Sequence, residues 1–236
     1  MQHRTMLCGR SAVRTGLLRV ISAPYIRLNY TASFHRLPRS TASITLNFAK
    51  MILNIKEFNK PDLLIAAAET EDEVGTVLRI HLAIEQVLVW FINHRLTKEL
   101  APYVKVPREF GNKLSIAAVF GLPLPFVRVI HQINVIRNKF AHGSSELAVD
   151  QVQELTRQVD KLFEIDSSFV AVSRRFLELP VKRPGERMAF GAHGQRVDFL
   201  IAAMAFYGVA MKWAAMEVSV QSEVQPFAAA DGFAAR

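Results

Sequence analysis

A predicted helix in the middle of the chain has an unusual polar face. At about 100° per residue, one stripe of this helix contains His131, Asn134, Asn138 and His142, with Arg137 at its flank. Solvated helix faces usually contain lysine and glutamate. Histidine and asparagine are short, form hydrogen bonds, and in the case of histidine exchange a proton near neutral pH. The stripe is therefore either a solvated face of an amphipathic helix or a site for recognition and proton transfer.

Arg137 and His142 are of the types that RNA cleavage through the 2′-hydroxyl requires. Such cleavage needs a group that exchanges a proton and a cation that stabilises the charge growing on the phosphorane. Arginine suits the second task because its planar guanidinium holds two phosphate oxygens at once and stays protonated. We predict Arg137 as the clamp and His142 as a general acid or second cation. Asn138, one turn before His142, is predicted to orient the imidazole or to hold a phosphate oxygen.

The segment 133–142, INVIRNKFAH, resembles the signature helix of HEPN domains, which has Arg, a polar residue that is often Asn, three further residues and His. The segments FGNKL (110–114) and HLAIE (81–85), with a turn at Gly121, are similar to the branch that includes the mannitol operon repressor family. The resemblance covers about residues 61–165. It implies a helical homodimer in which two copies of this helix meet. For catalytic members it also implies a metal-independent endoribonuclease. If His142 of one copy is the general acid, the second copy would supply the base.

Four further residues are predicted to bind or orient substrate. Glu85 either pairs with Arg137 and orients it or is an ordinary surface carboxylate. Lys139 either contacts a phosphate or is solvated, and His131 and Asn134 continue the polar stripe. The sequence contains no zinc-ligand spacing, no phosphate-cradling glycine loop and no dinucleotide fingerprint. We therefore expect no metal and no cofactor.

The spacing of apolar residues predicts an all-α, antiparallel helical bundle. Thr70 and Glu73 fit a capping box between the first two helices, and residues 182–185 are expected to form a loop. The apolar run from Phe199 to Met211 is too short to cross a bilayer and predicts a buried core helix. Helices are expected at 62–69, 74–96, 110–120, 125–142, 149–163, 169–179 and 195–217.

The net charge of +8 is concentrated at the N-terminus. Residues 1–50 contain eight of the 29 Lys and Arg residues and no Asp or Glu, so the remaining 21 basic residues equal the 21 acidic ones. Residues 51–236, which include the domain expected at 51–219, thus have no excess charge that would indicate nucleic-acid binding. The leader, 1–50, is a mitochondrial transit peptide, a basic nucleic-acid-binding arm, or an over-long start preceding Met51. An Ala-rich, flexible tail is expected at 220–236.

Two functions are compatible with these features. The first is a toxin or defence endoribonuclease that acts on RNA and is restrained by an antitoxin. The second is a non-catalytic regulator or adaptor, similar to the mannitol operon repressor family, in which Arg137 pairs with an acid such as Glu85. The single cysteine, Cys8, lies in the leader, so the domain has no disulfide, which suits a reducing compartment. We expect a cytoplasmic protein that does not bind membranes.

Overall fold

A computed structural model describes the backbone of residues 27–29 and 61–224, and the side chains of residues 61–217. Three short strands form an antiparallel sheet in the order β1 (Arg27–Asn29), β2 (Phe176–Leu179) and β3 (Arg183–Ala189). The predicted mainly helical class is confirmed, whereas the strands depart from the all-α prediction. The helices in this part of the chain are α1 (Pro61–Glu69), α2 (Glu73–Arg95), α3 (Phe110–Val119), α4 (Leu124–Ala141), α5 (Val149–Asp160) and α6 (Gln195–Val224).

The predicted leader and tail lie mostly outside the described residues, and so do Cys8 and Met51. Within the leader, β1 pairs with β2, so that Leu28 is opposite Leu177. The leader, which showed no strand pattern in the sequence, thus contributes a strand to the fold. At the other end, α6 continues into the segment predicted as a tail.

The helix predicted over 169–179 is wrong, because its C-terminal part is β2. The loop predicted at 182–185 is also wrong in part, because it contains the start of β3. Leu177 and Leu179 are buried while Phe176 and Glu178 are partly exposed, which is the alternation of a strand. This alternation spans only 4 residues, so helix and strand periods are hard to distinguish. Opposite charges support the pairing, because Glu178 lies across from Arg187 and binds it at 3.0 Å.

The start of α2 also differs from the prediction. Its N-cap is Asp72, whose carboxylate accepts hydrogen bonds from two backbone N–H groups of the first turn at 3.2 and 2.6 Å. The predicted capping box of Thr70 and Glu73 is therefore wrong. The Glu73 carboxylate instead accepts from the backbone N–H of Leu147 at 2.6 Å and ties α2 to the loop after α4.

The core is built around α6, in which every side chain from residue 199 to residue 207 is buried. This helix packs against α1, α2, α4 and α5. Phe126 of α4 meets Phe206 and Trp213 of α6 edge to face, with ring centroids 5.6 and 5.3 Å apart. These contacts anchor the N-terminal end of α4 in the core.

Helix α4 lies against α2, α3 and α5. Val129, Ile133 and Ile136 are buried, as their spacing predicts. Gly143, with a φ of +98°, follows the helix in the conformation expected of a C′ glycine. The polar face of α4 is left at the surface, beside α2 and the start of α3.

Within residues 61–224, two helices, α2 and α6, contain stretches that are long and apolar enough to cross a membrane by length and composition alone. The apolar part of α6 is thus longer than the run from 199 to 211 that the sequence analysis considered. Of the two stretches, 61% and 72% are buried inside the fold. Core helices of soluble proteins have the same properties, and the burial of 199–211 agrees with the predicted core helix.

Candidate functional site

A groove of about 590 Å³ opens between α2, the start of α3 and α4. Its volume is within the range of sites that bind small ligands. The groove combines apolar, amide and charged side chains: Leu78, His81, Leu82 and Glu85 from α2, Arg108, Glu109, Phe110 and Gly111 around the start of α3, and Asn134, Arg137 and Asn138 from α4. Four of the predicted site residues, Glu85, Asn134, Arg137 and Asn138, are thereby brought together.

Arg137 has more hydrogen-bonding capacity than its surroundings use. Its Nη1 donates to Oδ1 of Asn138 at 3.2 Å, and its Nε is buried without an acceptor. Within residues 61–217, no acidic side chain forms an ion pair with it. A guanidinium has five N–H donors. Most of the donors of Arg137 therefore have no partner in this part of the chain.

The predicted pair of Glu85 and Arg137 is not formed. Oε1 of Glu85 accepts from Nζ of Lys113 at 2.6 Å, and the same Nζ donates to the backbone carbonyl of Arg108 at 2.6 Å. Lys113 is only 6% exposed, and a buried ammonium requires a close acidic partner. Glu85 therefore neutralises Lys113, a residue that the sequence analysis missed because 28 positions separate the two.

His81 is a groove residue to which the sequence analysis assigned no role. Its Nε2 lies 3.2 Å from Oδ1 of Asn134, and its ring packs on Phe110 with centroids 4.0 Å apart. Because an amide oxygen only accepts, Nε2 donates this hydrogen bond. Burial lowers the pKa of His81 below its ordinary 6.5, and the positive charge of Arg137 acts in the same direction while the Asn134 bond opposes it. The groove thus contains a neutral imidazole near pH 7.

His142 lies outside the groove, although it belongs to the same sequence motif as Arg137. It is exposed at the C-cap of α4, where its backbone N–H bonds to the carbonyls of the last turn. Five positions separate the two residues, which corresponds to about 140° around a helix. Asn138 binds the Arg137 guanidinium, and no described hydrogen bond joins its side chain to the His142 imidazole. Like His142, two other predicted residues are exposed and outside the groove: His131 and Lys139.

No group of three or more His, Cys, Asp or Glu side chains is placed to hold a metal ion in the described part of the chain. In comparisons with known proteins, no family model matches the sequence, and no curated protein or solved structure matches the chain. An arginine without an acidic partner beside two carboxamides can bind an anion that also offers hydrogen-bonding groups.

Proposed function

We propose that this chain is a HEPN-like, metal-independent endoribonuclease that acts as a homodimer through Arg137, Asn138 and His142. The observation that carries the proposal is the lack of an acidic partner for Arg137 in residues 61–217, although its Nε is buried. Burying part of an arginine without pairing its charge is costly. Such a residue is expected where its charge has another use. Binding of a phosphate at the groove would be such a use.

In the proposed reaction, the 2′-oxygen of one nucleotide attacks the adjacent phosphorus, and the bond between phosphorus and the 5′-oxygen breaks. A base accepts the proton of the 2′-hydroxyl, and an acid donates a proton to the leaving 5′-oxygen. The products are a 2′,3′-cyclic phosphate and a 5′-hydroxyl. Arg137 would stabilise the charge of the phosphorane, Asn138 would orient Arg137, and His142 would transfer a proton.

The separation of Arg137 and His142 around α4 supports a composite site. Both groups must reach the same phosphate, yet only Arg137 lines the groove. A second copy of the chain could bring its own His142 to this groove, since that residue is exposed at the end of α4. We infer that Arg137 of one copy and His142 of the other act on one phosphate.

The alternative function is a non-catalytic regulator or adaptor that binds a protein partner. It is favoured by the exposure of Leu78 (39%) and Leu82 (45%) in the groove. It is also favoured by the balanced charge outside the leader, because RNA binding gains much of its affinity from phosphate neutralisation. Against it, the pair of Glu85 and Arg137 that this function predicts is not formed. Under either function, we propose a cytoplasmic protein that does not bind membranes, and for a nuclease an antitoxin as regulatory partner.

The test is cleavage of total tRNA by the full-length chain in an excess of EDTA. Wild type is compared with Arg137→Ala, His142→Ala and Arg174→Ala, the last being an exposed arginine outside the groove. We expect cleavage by wild type and by Arg174→Ala, and loss of cleavage in the other two variants. All four proteins should have similar melting temperatures, because none of the replaced side chains belongs to the core.

Three results would contradict the proposal. A folded wild type that cleaves no RNA would favour the adaptor, and a nuclease that EDTA inactivates would need a metal. A large decrease in melting temperature in His142→Ala would assign that residue a structural role.

A further inference from the structure

A second cluster of polar side chains lies away from the groove, where the C-terminal end of α2 meets α6. His94 and Arg95 occupy the last turn of α2, and Nη2 of Arg95 binds Oε2 of Glu217 in α6 at 2.6 Å. His94 follows the groove residue Glu85 by nine positions, which corresponds to roughly 13 Å along the helix. The cluster is therefore separate from the groove and from the chemistry proposed there.

His94 lies in this cluster without a hydrogen bond to its buried nitrogen. Its ring stacks on Trp90, with centroids 5.0 Å apart and an interplanar angle of 14°. Within residues 61–217, its Nε2 is buried and has no hydrogen-bond partner. A neutral imidazole tolerates this arrangement, because one of its two nitrogens has no proton to donate. An imidazolium has an N–H on both nitrogens, so protonation leaves a buried donor without an acceptor.

The charged groups around His94 do not compensate for a proton on its ring. In the described part of the chain, the charged groups that act on its titration are Arg95 and Glu217. Burial lowers the pKa of His94 below its ordinary 6.5, Arg95 acts in the same direction, and Glu217 opposes them. Lys212, also in α6, is bound by Asp166 at 2.7 Å. An imidazolium at this position therefore competes with Arg95 for Glu217, which joins α2 to the end of α6.

We propose that His94, Arg95 and Glu217 form a pH-sensitive latch, which joins the ends of α2 and α6 at neutral pH and opens on mild acidification. Protonation of His94 either breaks the contact between Arg95 and Glu217 or leaves a buried donor unpaired, and both results favour separation of the two helix ends. The rest of α6 stays in place, because every side chain from residue 199 to residue 207 is buried in the core. Opening exposes the indole of Trp90, of which 7% is exposed in the closed latch.

Both tryptophans of the chain report on this latch. Trp90 stacks on the His94 ring, and Trp213 of α6 contacts Phe91 of α2 at a centroid distance of 5.5 Å. The chain contains only these two tryptophans. Tryptophan fluorescence therefore measures the contact between the two helix ends, and far-UV circular dichroism measures whether the remaining helices persist.

The test is a pH titration of the full-length chain from about pH 8 to about pH 5, followed by tryptophan fluorescence and circular dichroism. Hydrogen–deuterium exchange of the peptides covering α6 is measured at both ends of this range and corrected for the intrinsic exchange rate. The variants are His94→Phe, which keeps a ring on Trp90 without a titratable group, and His94→Gln as a second non-titrating side chain. His81→Gln is the matched control, because it removes another partly buried histidine from the same helix.

We expect a fluorescence transition below about pH 6.5 in wild type and in His81→Gln, with helix content unchanged. Opening of the latch is coupled to the uptake of one proton. The exchange rate at the end of α6 should therefore increase by up to about tenfold per pH unit, between about pH 6.5 and the lower pKa of His94 in the closed latch. Exchange at residues 199–207 should keep its neutral-pH value. Both His94 variants should show neither change.

Four results would overturn the inference. The first is a fluorescence transition or an increase in exchange that persists in both His94 variants. The second is a loss of circular dichroism over the same pH range as the fluorescence transition, since the whole fold would then be opening. The third is a fluorescence transition without faster exchange at the end of α6, because His94 would then take up a proton while the latch stays closed. The fourth is a wild type that shows no change down to about pH 5.

Discussion

Two arginine-containing surfaces of this protein differ in how their charges are matched. Near the β2–β3 hairpin, Arg183, Arg187 and Arg196 each contact an acidic side chain or a backbone carbonyl. In the groove, Arg108 and Arg137 contact no acid among residues 61–217. The difference separates arginines whose charge is used within the fold from arginines whose charge is available to a ligand.

The cause of the difference lies in which acids are close to each surface. At the hairpin, strand register places Glu178 directly opposite Arg187. At the groove, Glu85 pairs with the buried Lys113 instead of an arginine. The charge of Glu85 is thus matched by a buried lysine next to the groove, and Arg137 has no ion pair among residues 61–217.

The largest expected effect concerns Arg137. Replacing it with alanine should reduce RNA cleavage by about 100- to 1,000-fold, because the phosphorane loses its stabilising cation. Arg187→Ala should cleave at the wild-type rate, since that charge is matched by Glu178 within the sheet. Initial rates measured for both variants at one salt concentration test the comparison. Equal losses would mean that pairing with an acid does not distinguish the two surfaces.

A smaller effect is expected when the buried Lys113 loses its acidic partner, Glu85. Glu85→Gln should lower the free energy of unfolding by about 1–3 kcal/mol, because the ammonium of Lys113 stays buried with only neutral acceptors. Urea denaturation measures this value. Adding Lys113→Met should restore part of the loss, since the buried charge is then removed. A Glu85→Gln variant as stable as wild type would contradict the assigned role of the pair.

The neutral imidazole of the groove predicts a pH dependence of stability. Burial holds the pKa of His81 in the folded chain below its ordinary value of 6.5, so the unfolded chain binds the proton more readily. The stabilising contribution is complete above about pH 6.5 and is lost as the pH falls below it toward the folded-state pKa. His81→Gln should therefore reduce the decrease in melting temperature between about pH 7.5 and about pH 5.

His94 is a second contributor to this pH dependence. Burial also lowers the pKa of His94, and the neighbouring Arg95 contributes in the same direction. The decrease in melting temperature on acidification that remains in His81→Gln should become smaller still when His94→Gln is added. An unchanged pH dependence in His81→Gln would show that its imidazole is not held neutral by the fold.

The smallest effect is expected for stability at the hairpin. Arg187→Ala should change the free energy of unfolding by less than about 1 kcal/mol, because the side chain is 70% exposed and its ion pair with Glu178 is screened by solvent. Thermal denaturation tests this value. A loss well above it would show that the hairpin depends on its ion pairs more than on the burial of Leu177 and Leu179.

Much of the helical framework could be predicted because it depends on local periodicity. The buried set of α4, Val129, Ile133 and Ile136, follows from residues three and four apart sharing a face. The ends of α2 and α3 lie within a few residues of the predicted ones. The β2 strand could not be predicted in this way, because its alternation is too short to distinguish a strand from a helix.

By itself, the sequence determined the residue types of the motif and the face of α4 on which Asn134 and Asn138 lie, since helix geometry relates nearby positions directly. Only the tertiary structure decided which charges pair and which residues share the groove. Glu85 binds Lys113 instead of Arg137, and His142 stays outside, because these outcomes depend on the packing of α2, α3 and α4. Segments that are far apart in the sequence meet at the groove, and local residue spacing does not predict the distances between them.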